Sequence, residues 1–66
     1  MHFEIRSFAD DPARFSHALV ETEKSAVRKE VRAFFAQFRY KCRFDHDIVR
    51  ITRGNDKRSY HLRQCV

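Results

Sequence analysis

The sequence predicts an α+β fold of order β-α-β-β-β, with one long helix packed on one face of a small, mostly antiparallel sheet. Three observations carry this expectation. Phe38-Arg39-Tyr40-Lys41-Cys42-Arg43-Phe44 alternates apolar and cationic residues without a slip, which is the period of a half-buried strand. From Pro12 to Gln37 apolar residues recur at threes and fours, the period of an amphipathic helix. Gly54-Asn55-Asp56 then separates two further alternating runs, with the residue types of a hairpin loop.

In chain order, His2 to Phe8 reads as a first strand, with Phe3 and Ile5 on one side and His2, Glu4 and Arg6 on the other. Asp10-Asp11-Pro12 resembles a helix start, a carboxylate at the cap followed by proline at the first helical position. Phe15, Leu19, Thr22, Ala26, Val27, Val31, Phe34 and Phe38 would line the helix's apolar face, which thins over residues 21–25. A straight helix of that length would run about 38 Å, while seven-residue strands span only about 23 Å. The helix must therefore bend or split near residues 21–25, or project and pack on another subunit. A continuous helix whose surplus face forms a homodimer is the preferred expectation. Strands follow at Phe38–Phe44, Ile48–Arg53 and Arg58–Gln64, with a turn at Asp45-His46-Asp47.

The 66 residues allow one domain with one core. Strand parity assigns Phe3, Ile5, Phe38, Tyr40, Phe44, Val49, Ile51, Tyr60 and Leu62 to the side beneath the helix. The opposite side would display Arg6, Arg39, Lys41, Arg43, Arg50, His61 and Arg63, and nothing in the chain remains to cover it.

Charge follows the same division. Residues 1–38 hold six Lys/Arg and six Asp/Glu, whereas residues 39–66 hold eight Lys/Arg against three Asp. The whole net charge of +5 thus begins with the alternating strand. A field concentrated in this way suggests an anionic partner. Like charges on neighbouring strands repel by some tenths of a kcal/mol per pair, and phosphates would relieve that repulsion through guanidinium forks and counterion release. The expected function is nucleic-acid binding, DNA or RNA, through Arg39, Lys41, Arg43, Arg50, His61 and Arg63. A helical stripe of Lys24, Arg28 and Arg32 would add contacts. Outward aromatics for base stacking are not expected, because the aromatics share the inward parity. The small size suggests a phage- or plasmid-type accessory regulator. The alternative is an inhibitor or adaptor docking on an acidic protein through the same cations or the Phe34/Phe35 helix face.

Other chemistries are weaker. Cys42, His46, His61 and Cys65 have zinc-compatible residue types, but Cys42 and His61 have opposite parity and no tight Cys-x2-Cys knuckle is present. No cofactor or metal is therefore expected, and a Cys42–Cys65 disulfide less so. Asp45-His46-Asp47 could orient an imidazole, yet no nucleophile–base pair can be placed, so an enzyme is not expected. No apolar run approaches the length of a membrane span, and the start of the chain alternates rather than forming a signal peptide. A cytoplasmic protein without membrane contact is the expectation.

Overall fold

β-Branched and aromatic residues at alternate positions draw most of the chain into strands. The computed structural model describes residues 2–65. Its elements are β1 (His2–Ser7), β2 (Ser16–Ala18), α1 (Lys24–Ala36), β3 (Lys41–Asp45), β4 (Ile48–Arg53) and β5 (Asp56–Cys65). The five strands form one sheet of order β2-β1-β5-β4-β3, antiparallel at every pairing. One helix lies on one face of this sheet. The α+β architecture read from the sequence is therefore correct, with a three-residue strand added between the first strand and the helix.

The long helix is corrected. It covers 13 residues rather than running from Pro12, a length of about 20 Å that matches the sheet beneath it. Residues 15–19 instead follow period two: Phe15, His17 and Leu19 turn inward while Ser16 and Ala18 are exposed. Pairing with the first strand decides between the two periods. Ser7 N–H donates to Phe15 O at 2.9 Å, Ser7 Oγ accepts from Phe15 N–H at 2.9 Å, and Leu19 N–H donates to Phe3 O at 2.9 Å. A helix there would have left the outer edge of β1 unpaired. The acidic Pro12 segment is a turn, in which Asp11 Oδ1 accepts from Ala13 N–H at 2.9 Å, the local bond that aspartate offers outside helices.

At the helix start the Glu23 side chain makes no cap bond. Glu30 reaches back from the second turn, and its carboxylate accepts from Val20 and Glu21 N–H groups at 2.8–3.0 Å. Val27, Val31 and Phe35, one turn apart, enter the core with Ile5, Leu19, Val49, Ile51, Tyr60 and Leu62. Phe3, Tyr40 and Phe44 are packed against that core and half-buried. Phe38, expected inside, is 49% exposed, because it belongs to the turn after the helix and not to a strand.

That turn also removes Arg39 from the predicted strand. Arg39 has φ 65°, Tyr40 N–H donates to Phe35 O at 3.1 Å, and Arg39 N–H donates to Ala36 O at 3.0 Å. These are the bonds of a Schellman motif, and its usual apolar clasp is present as the Phe35–Tyr40 ring contact at 6.4 Å. Glycine normally occupies the left-handed position because a Cβ is disfavoured there. Arg39→Gly therefore stabilises the fold by roughly 0.5–1 kcal/mol, a rise in Tm of about 2–8 °C. Thermal melts followed by circular dichroism provide the check, and an unchanged or lower Tm would contradict the helix end described.

Two tight hairpins finish the sheet. Gly54 has φ 61° and lies between the paired residues Arg53 and Asp56, so a two-residue loop starts with the left-handed residue that it needs. His46 fills the equivalent place between Asp45 and Ile48, with φ 54°.

Candidate nucleic-acid interface

Strand register determines which cations meet on the sheet face opposite the helix. Arg43 pairs with Arg50, and Arg50 with Ser59; Lys41 pairs with Thr52, and Thr52 with Lys57. Ile48 and Arg6 flank His61 from its two sides, and Glu4 lies opposite Arg63. Arg6, Lys41, Arg43, Arg50, Lys57 and Arg63 are all exposed, and no described helix or strand packs over them.

Of the sequence-expected residues, Lys41, Arg43, Arg50, His61 and Arg63 occupy this open face. Arg39 does not: it sits in the turn after α1. Arg28 and Arg32 do not either. Their guanidinium carbons lie 5.5 and 5.0 Å from the centre of the Phe44 ring, and that ring belongs to the helix side of the sheet. A cation over an aromatic face is attracted by the ring quadrupole, so Arg28 and Arg32 cover the edge of the core while Arg32 stays exposed. Arg28 Nε is buried without a hydrogen-bond partner among the described residues.

Among the described residues, ion pairs join carboxylates to arginines of the open face at two points. Asp45 lies 3.4 Å from Arg50 and 3.1 Å from His46 Nδ1, and Glu4 lies 3.8 Å from Arg6. The hydrogen bond from His46, followed by the charge of Arg50, holds the Asp45 carboxyl below its ordinary range. Lys41, Arg43, Lys57 and Arg63 have no salt-bridge partner among the described residues.

Arg53 and Arg58 are engaged elsewhere. Tyr40 Oη donates to Asp56 Oδ2 at 2.6 Å, and Arg58 Nε donates to Asp56 Oδ1 at 3.2 Å. Arg53 lies 3.7 Å from Asp56, stacks 4.5 Å over the Tyr40 ring and donates to Phe38 O at 3.1 Å. The Tyr40 hydrogen bond, and then that from Arg58, holds the Asp56 carboxyl below its ordinary range; the same bond raises the Tyr40 phenol. A depressed carboxylate stabilises the fold fully above its unfolded-state pKa and loses that contribution as pH falls through its folded value. Tm is therefore expected to fall below about pH 4. The gap between wild type and Asp56→Asn should be widest near neutrality and close on acidification, as measured by melts across pH.

Two cations and one ring escaped the sequence reading. Lys57 joins the open face because the hairpin loop contains only Gly54 and Asn55, so β5 begins before Arg58. Phe8 follows Arg6 by two residues, which was the available signal that it faces the same way. Its ring lies 4.1 Å from that of His61, tilted by 51°. Arg14, in the loop joining β1 to β2, had no period to place it. Phe8 and Arg14, together with Arg6, His61 and Arg63, border an open cleft of about 700 Å³.

The sulfur and imidazole groups are dispersed. Cys42 is half-buried on the helix side, where burial pushes its thiol up, while His61 and Cys65 share the parity of the open face. His46 sits at a hairpin tip. Among the described residues no three His, Cys, Asp or Glu side chains form a metal-ligand cluster. No described helix is long and apolar enough to cross a membrane. Comparison with models of protein families, with curated proteins and with solved structures found no match to this chain.

Proposed function

We propose that the protein binds nucleic acid by laying the open sheet face on the phosphate backbone, with no chemical step. The observation that supports this is the convergence of Lys41, Arg43, Arg50, Lys57 and Arg63 on one exposed face, where Glu4 and Asp45 are the carboxylates on the strands themselves and Asp10 and Asp11 approach Lys57 from the loop after β1. Such a face follows a backbone through charge and guanidinium forks.

If four or five phosphates are engaged, log affinity for duplex falls against log salt with a slope of about −4, and less steeply for a single strand. Fluorescence anisotropy with random-sequence oligonucleotides across a salt series measures it. Affinity unmoved by salt would remove the reading. An acidic protein partner, bound as by an inhibitor or adaptor, would use the same cations. It would appear as a complex surviving nuclease treatment, with no oligonucleotide binding. The helix-face version of that alternative loses its basis, because Phe35 is in the core and Phe34 is half-buried between Phe15, His17 and Phe38. The 13-residue helix likewise removes the surplus length that suggested a homodimer.

A further inference from the structure

The cleft beside Phe8 differs from the rest of the open face. Arg6, Arg14, Arg63 and His61 converge on it together with an aromatic ring, and no carboxylate lines it. Arg14 and Arg63 have no ion-pair partner among the described residues. Phe8 lies outside the core cluster, held on the outward side of the sheet by its contact with His61. Phosphate-binding forks next to an aromatic surface are the two halves of a nucleotide site. A volume of about 700 Å³ is within the range of small-ligand clefts. It has room for an unstacked nucleotide.

We infer that this cleft holds one nucleotide of a single-stranded nucleic acid, its phosphate between Arg6, Arg14 and Arg63 and its base against Phe8. The inference rests on the reading above and adds a preference to it. The sheet cations track any phosphate backbone, whereas the cleft engages only a strand whose bases are free. Base stacking on an aromatic is sequence-tolerant, so the site selects strandedness and not sequence.

The test compares a fluorescein-labelled oligothymidylate with a duplex of equal length, by anisotropy at one salt concentration. Phe8→Leu keeps an apolar side chain over His61 but removes the π-face. The ratio of single-strand to duplex affinity is expected to fall by about 5- to 150-fold, the usual range for losing one stacked base. Arg14→Ala, on an exposed loop residue, should lower the same ratio without touching the core. An unchanged ratio in both variants, with thermal melts showing them folded, would overturn the cleft assignment and leave the sheet-face reading intact. Failure of wild type to bind either oligonucleotide would overturn both. Titration with thymidine monophosphate gives an independent readout: amide shifts should gather at Phe8, Arg14, His61 and Arg63, and shifts confined to β3 and β4 would contradict the assignment.

Discussion

The double reversal Arg43→Glu with Arg50→Glu lowers duplex affinity at about 0.1 M salt by roughly 100-fold. The two arginines lie opposite each other on β3 and β4 and are exposed, so a backbone crossing the sheet meets both. Each phosphate contact contributes about 0.9 to the salt slope, which near 0.1 M corresponds to roughly eightfold in affinity. Reversal removes two contacts and adds repulsion, so the slope should flatten from about −4 to about −2. The variant should still fold, since both side chains are exposed and the new Glu–Glu pair, like the arginine pair it replaces, costs the sheet only some tenths of a kcal/mol. Lys29→Glu, on the exposed helix surface, is the comparison. It changes net charge but not the face, and should alter affinity by less than about threefold at this ionic strength. Equal loss from the helix reversal would mean that net charge, not the sheet, governs binding.

Ile5→Ala is the stability change with the largest expected effect. Ile5 is fully buried, on a strand paired on both edges, with His17 opposite it on β2 and Leu62 on β5. Removing its outer carbons leaves a cavity that strands fixed on both sides cannot close, at a cost of about 2–5 kcal/mol. A domain of this size has only roughly 3–10 kcal/mol in total. Tm is expected to fall by about 10–30 °C, and part of the population unfolds at room temperature. Phe38→Ala provides the contrast. The ring is half exposed and retains an edge contact with Phe34 at 5.6 Å, so its loss costs roughly 1 kcal/mol. Denaturant titrations of the two variants distinguish the burial described from an arrangement with Phe38 inside.

Much of the sheet was legible because its signal is local. Ile48–Arg53 was expected and found with the same bounds, since Val49 and Ile51 alternate with polar residues between two turn signals. The same parity put Arg6, Lys41, Arg43, Arg50, His61 and Arg63, all the residues expected there except Arg39, on the open face. The helix was legible in kind but not in extent. Phe15, His17 and Leu19 satisfy either a four-residue or a two-residue spacing over so short a run. The choice was made by a distant partner, the unpaired edge of β1. Arg39 was misplaced because alternation continued through residues that the helix end had already claimed, and an arginine in a left-handed turn carries no glycine signal. The contact of Arg28 and Arg32 with the Phe44 ring was not legible, because i, i+4 spacing reports a shared helix face but not what lies opposite.

The position of β5 has a consequence for how the chain acquires its shape. It runs between β1 and β4, so the strand that follows the other four in sequence is the seam joining two otherwise separate ribbons, β2-β1 and β4-β3. During synthesis the earlier residues can form hairpins and a helix, but they have no common sheet to settle on until that seam arrives. Closure must therefore be a late, long-range event, and the cationic platform comes into being only when it occurs.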